Sequence, residues 1–261
     1  MSLLHKAKLF SKSLIRTLIQ VLLPQSCLIC EKYTDLSFCK ECFESIPRPK
    51  EIGVKWIHSA ITYDHRYSHQ IMHALKYYNK KSIAHTLAYY CHGDFLNFVE
   101  TYIRYNNLKD IDQIYLIPIP ISKERSTTRG YNQSELIADS LCSFLLSLFS
   151  SHSFLIKNIN VINTLINKAK STVRLSHLHD VSTRQEEISH SMYADKEVYT
   201  NILDNKIKEK NILIEKSNDN ILYVLIDDIT TTGSTIYEAR RALMTLPAMD
   251  ELHIIAWTAG H

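Results

Sequence analysis

The sequence predicts an α/β protein: a mostly parallel sheet flanked by helices, preceded by an N-terminal helix and a small cysteine module. Three observations predict it. The run Ile221–Ile226 contains no polar residue, as in a strand buried on both faces of a parallel sheet. Two further apolar runs, Ile114–Ile117 and Leu252–Trp257, are separated from it by long stretches of helical periodicity. Near the N-terminus, two Cys-x-x-Cys pairs stand only eight residues apart.

Composition narrows the class. At 261 residues, with 45% hydrophobic and 22% charged residues, the chain has room for one α/β domain and a small module. The expected organisation is an amphipathic helix over residues 1–24, a four-cysteine module over 25–50 and the α/β domain over 51–261. A net charge of +3 is too weak to argue for nucleic acid by itself. Six cysteines in a chain this long are no disulfide scaffold, which favours a reducing cytoplasm. A nucleotide-hydrolysing P-loop is excluded, because no G-x-x-x-x-G-K-[ST] occurs and only five glycines are available.

Met1–Leu23 carries Lys6, Lys8, Lys12 and Arg16 among leucines and isoleucines at helical spacing, with no acidic residue. Its charges exclude a transmembrane span, and Pro24 follows where a signal-peptidase site would stand. Docking on the rest of the protein, or peripherally on a membrane surface, remains. Cys27, Cys30, Cys39 and Cys42 are spaced to hold one zinc ion tetrahedrally, in a structural site with no open position. Cys91 and Cys142 read as small core residues.

In the α/β domain Lys55–Tyr63 reads as a strand and Tyr67–Tyr90 as one helix with Ile71, Leu75, Leu87 and Ala88 on its apolar side. His69 and His73 are spaced i, i+4 without a ligand partner and receive no chemistry. A helix is expected from an Asn132 cap to about Phe149, a strand at Asn160–Leu165, and a charged, partly extended connector over Asn201–Asn220. Ile236, Ala239, Leu243 and Leu246 mark a helix ended by Pro247.

Two stretches carry chemistry. Asp227 and Asp228 stand where the central strand ends, the ligand edge of an open α/β sheet. Two adjacent carboxylates there suit a ribose diol or, through water, a magnesium ion. Thr230, Thr231, Thr232, Gly233, Ser234 and Thr235 follow; hydroxyls, free amides and a helix N-terminus make a phosphate cradle. The second stretch, Gln113–Gln133, is a strand ending in Pro118, Ile119 and Pro120, then a loop with Lys123, Arg125 and Arg129. Arginine suits bidentate phosphate contact and lysine a point charge. A basic loop opposite a phosphate cradle fits a sugar phosphorylated at both ends.

The stretch DDITTTGST, Asp227–Thr235, resembles the phosphoribosyl-pyrophosphate signature of type I phosphoribosyltransferases. PIPISKERSTTRGYNQ resembles the P-V-P-L-H-x-x-R-x-x-x-R-G-F-N-Q segment of the ComF competence-protein family. Pro118, Pro120, Arg125, Arg129, Gly130, Asn132 and Gln133 match it directly, whereas Ser122 replaces the family's His. Lys76 lies in an LKY-like segment, and Trp257–Gly260 resembles the family's terminal strand. Asn167–Ala194 corresponds to a loop over the site, although only Thr172, Leu175, Ser176 and Arg184 fit its pattern.

The resemblance implies a type I phosphoribosyltransferase-like domain that binds phosphoribosyl pyrophosphate with magnesium, Asp227 and Asp228 acting in catalysis. Residues Thr230–Thr235, Pro118–Pro120, Lys123, Arg125 and Arg129 would bind the ligand. It also implies a cytoplasmic role in natural transformation, at the inner face of the membrane. There the protein would handle incoming single-stranded DNA beside a competence helicase and an inner-membrane channel. The alternatives are a phosphoribosyltransferase of nucleotide metabolism without a DNA role, and a ligand sensor or single-stranded-DNA adaptor without catalysis.

Overall fold

Alternate residues of the central strand divide between two cores. The computed structural model describes residues 25–49, 54–78, 81–108, 111, 113–149, 158–169, 191–210 and 220–261. The expected N-terminal helix and most of the 167–194 loop lie outside them. Strand β6 (Ile221–Ile229) is preceded by β1 (Ile57–Ile61), β2 (Gln113–Pro118), β3 (Asn158–Val161), β4 (Ile166–Lys168) and β5 (Met192–Ala194), and followed by β7 (Ile254–Gly260). The main sheet runs β1-β7-β6-β2-β3 with every pairing parallel, and β4 and β5 form a separate antiparallel hairpin.

Leu222, Val224 and Ile226 enter one core with Ile114, Leu116, Ile255 and Trp257; Ile221, Tyr223 and Leu225 enter the other with Ile117, Ile254 and Ala256. A strand with neighbours on both edges and helices on both faces has no wet side, hence its unbroken apolar run. The first core is closed by helices α2 (Arg66–Tyr77), α3 (Ser82–Tyr105) and α5 (Gln133–Phe149), the second by α6 (Lys196–Lys210), α7 (Ser234–Leu243) and the β4–β5 hairpin. The fold is the α/β class that the sequence predicts.

The cysteine module includes the short helix α1 (Lys40–Glu44) and joins the first core. Phe38 and Phe43 pack against Tyr90 of α3, ring centroids 5.7 and 4.8 Å away. The Ser37 N–H donates to Thr86 Oγ1 at 3.1 Å. About two turns further along α3 from Thr86, Asp94 accepts from Trp257 Nε1 at 3.3 Å and lies 2.9 Å from His58 Nε2, which joins the helix to β7 and β1.

Four local expectations change. The single helix over Tyr67–Tyr90 is two, α2 and α3. Continuing the α2 period from Leu75 would carry Tyr78 and Asn79 onto the buried face. Instead the helix stops, and a new buried register begins at Ile83, Ala84 and Leu87. The basic loop after β2 is about two helical turns, α4 (Lys123–Arg129), which Ser122 caps through Arg125 N–H and Gly130 ends at φ +75°. The edge strand β3 begins at Asn158, earlier than expected, and ends at Val161. Within the expected connector the chain is helical to Lys210. The Asp195 carboxylate accepts from the N–H groups of Glu197 and Val198, and Tyr199, Ile202 and Leu203 bury one face.

The hairpin is tied to α7 by a buried carboxylate. Glu238 is 6% exposed; it accepts from Met192 N–H at 3.1 Å and receives Arg241 through both oxygens at 2.7 and 2.8 Å. Arg241 Nη2 also donates to Met192 O at 2.9 Å. Glu238→Ala leaves a donor-rich site without its acceptor, and Arg241 is partly solvated. Chemical denaturation should register a loss of about 2 kcal/mol, and an unchanged midpoint would refute the tie.

Candidate functional site

The carboxylates lie at the carboxyl edge of the sheet, where three parallel strands end together. Asp227 is paired in register with Thr258, and Ile226 with Pro118. Asp227 Oδ1 accepts from Ser134 Oγ at 3.1 Å and from the Asp228 N–H at 2.9 Å; Asp228 Oδ1 accepts from the Ile229 N–H at 2.8 Å. The other oxygen of Asp228 is 3.0 Å from Lys76 Nζ, on α2. Burial, and then the neighbouring Asp228 charge, push the Asp227 carboxyl up to about 7. The Asp228 N–H, Ser134 and Lys76 oppose that rise. The pair therefore has one carboxylate paired with lysine and one, Asp227, raised towards neutrality.

The phosphate cradle follows directly. The Thr230 N–H is spent on Gly260 O at 2.9 Å and its side chain is buried, whereas Thr231 and Thr232 are exposed. Thr232 Oγ1 and Ser234 Oγ lie 2.7 Å apart. Gly233 caps α7 at φ +74° and has no side chain to accept from the first turn, where the Ser234 N–H donates to Thr232 Oγ1 at a long 3.4 Å. A Cβ at Gly233 would lie 3.2 Å from the Tyr237 ring. Gly233→Ala combines this contact with a left-handed backbone, and should cost about 1–2 kcal/mol in thermal unfolding. An alanine variant as stable as the parent would overturn that reading.

The basic stretch divides. The Ile119 N–H bonds Ile226 O at 2.9 Å, which fixes Pro118, Ile119 and Pro120 beside the carboxylates. Lys123 and Arg125 stand exposed on α4. Arg129 turns the other way: Nη1 donates to Gln133 Oε1 at 3.0 Å and the guanidinium lies 5.4 Å from the Tyr77 ring centroid. Two neighbours of the carboxylates were not singled out from sequence. Ser134 immediately follows the Asn132-Gln133 pair, and its hydroxyl reaches Asp227 because Asn132 Oδ1 accepts from the Ser134 N–H and caps α5 there. Lys168, on β4, is pushed below the ordinary lysine range by burial first and then by Arg125, with Asp227 opposing. Nothing in its polar surroundings in the sequence marks it.

The ligand atoms of Cys27, Cys30, Cys39 and Cys42 all lie within 4.8 Å of one another. Cys30 and Cys39 Sγ are 3.7 Å apart, close to the roughly 3.8 Å edge of a tetrahedron with Zn–S of about 2.3 Å. The N–H groups of Ile29 and Cys39 point at Cys27 Sγ at 3.4 and 3.3 Å. Burial raises the Cys27 thiol, yet the surrounding N–H donors outweigh it and bring it down to about 7. The cluster is compatible with structural zinc. The other two cysteines, Cys91 and Cys142, are buried in the core.

No family model matches the chain. Over 129 residues, 49% of its length, it is 32% identical to Competence protein ComFC of Bacillus subtilis (strain 168). The chain is related to a competence protein. The match takes in 38% of ComFC, so the chain spans well under two thirds of that relative. The likeness to ComFC and the four-cysteine cluster agree with the family resemblance carried by the motifs. Among the described residues, no helix is long and apolar enough to cross a membrane.

Proposed function

We propose that this chain is a ComF-like competence protein of natural transformation that binds phosphoribosyl pyrophosphate with magnesium at the end of β6. The observation that carries the reading is the Asp227–Asp228 pair, anchored by Ser134 and Lys76 and leading straight into an uncapped helix N-terminus. In this reading the two carboxylates hold the ribose hydroxyls and, through water, the metal. The amides and hydroxyls of Thr230–Thr235 take the 5′-phosphate, and the Pro118–Pro120 loop, with Arg125 and Lys168, receives the pyrophosphate. Magnesium, when bound, neutralises charge on the leaving pyrophosphate. The chain's own contribution is orientation of the ring and stabilisation of an oxocarbenium-like anomeric carbon. Zinc on the four cysteines is structural.

The likeness to ComFC supports a place in the handling of single-stranded DNA on the cytoplasmic side of the membrane, beside a helicase and a channel. Calorimetric titration of phosphoribosyl pyrophosphate with magnesium into the purified full chain tests the ligand reading. Saturable binding that requires magnesium is expected. An absence of heat at millimolar ligand would refute it.

A further inference from the structure

Helix α5 offers solvent few polar groups. Its 17 residues carry two charges, Glu135 and Asp139. Ser140 Oγ donates to Leu136 O at 2.7 Å and Ser143 Oγ to Asp139 O at 2.8 Å, so these hydroxyls are spent on their own helix. Beside them the half-buried Phe144 ring meets His85 and Tyr89 of α3 at centroid distances of 4.8 and 5.7 Å. Tyr89 nevertheless remains 45% exposed. Its ring also lies 5.2 Å from that of Tyr90, which packs against Phe38 and Phe43. The aromatic face is thus continuous with the seat of the cysteine module.

We propose that residues 1–23 of the same chain cover this α3–α5 face, lying across it as an amphipathic helix. Reach, pattern and charge select that segment. The described chain begins at Gln25, whose carbonyl accepts from Thr34 N–H within the cysteine module, so the segment leaves from beside Tyr90. As a helix, 23 residues span about 35 Å, against about 26 Å for α5. Lys6, Phe10, Leu14 and Leu18 fall four apart, which in a helix makes an apolar stripe for the rings with an ammonium at its head. The segment carries Lys6, Lys8, Lys12 and Arg16 and no acid. The face supplies the opposite sign. Burial raises the carboxyls of Glu135 and Asp139, Asp139 adds to the rise of Glu135, and no cation among the described residues opposes it. Each carboxylate gains from a cation brought in with the segment.

The test is zero-length carbodiimide cross-linking of the purified full chain, read by peptide mass spectrometry, with limited trypsin digestion at Lys12 and Arg16 alongside. Links within one chain from Lys6 or Lys8 to Glu135 or Asp139 are expected. Trypsin should cut the segment about tenfold faster in Tyr89→Asp and in Leu18→Asp than in the parent, because each puts a charge into the apolar contact and raises the open population. Should Tyr89→Asp alter the circular-dichroism spectrum, Leu18→Asp, which lies outside the domain, decides alone. Equal cleavage of Leu18→Asp and parent, or links confined to carboxylates off α5, overturns the proposal. Links between chains in a mixture of isotope-labelled and unlabelled protein would give the face to a second copy. Protection of Lys12 that appears only with phosphatidylglycerol vesicles would give the segment to a membrane. Either of these results overturns it as well.

Discussion

Replacing Asp227 by Asn should weaken binding of magnesium phosphoribosyl pyrophosphate by about 10- to 100-fold, the value of one or two hydrogen bonds to a charged group, with the circular-dichroism spectrum unchanged. The effect has a pH signature. Asp227 titrates near 7 in the folded protein, against 3.8 for an unperturbed carboxyl. Ligand affinity should therefore climb as pH rises from 6 to 8 and the carboxylate forms, and the Asn variant should lose that dependence. Stability should move oppositely. The folded state binds the proton more tightly than the unfolded chain, so this group favours folding increasingly as pH falls from about 7 toward 4, and disfavours it above 7. Asp227→Asn should thus stabilise the unliganded protein by on the order of 2 kcal/mol more at pH 8 than at pH 5. Urea titrations of both proteins at the two pH values check this. A difference independent of pH would remove the raised carboxyl from the account.

Stripping the metal should have the largest effect on stability. Metal analysis of purified protein is expected to give one zinc per chain. Chelation, or Cys42→Ser, should lower the melting temperature by about 10 °C, the shift that roughly 3 kcal/mol produces in a protein of this size. The reason lies in what the cysteines hold. Phe38 is fully buried and Phe43 nearly so, and both stack towards Tyr90 on α3. A module of this length has few apolar residues with which to keep that packing in the absence of a cross-link. A chelated protein with an unaltered melt would mean that the aromatic packing alone suffices.

What was legible in the sequence was whatever local chemistry enforces. The unbroken run 221–226 could only be a strand covered on both faces, and the divided cores bear this out. The four cysteines were legible because a metal tolerates few ligand spacings, and the Asn132 cap because the first N–H groups of a helix need an acceptor. Helix α6 was legible in principle, through Asp195 and the 199, 202, 203 spacing, but its lysines masked the pattern.

The tertiary structure alone decided the neighbourhoods. Ser134 and Asp227 are 93 residues apart, and Lys76 meets Asp228 across the first core; no periodicity encodes either contact. Glu238 and Arg241 tie down the hairpin that carries Lys168. Arg129, a phosphate-ligand candidate in the sequence, meets Gln133 and the Tyr77 ring, contacts that no spacing announces. The sequence by itself determined which strand ends in carboxylates and which loop is basic. Only packing of α2, α5 and the hairpin around that strand end decided which cations face the carboxylates, since charge partners are set by distance in space and not along the chain.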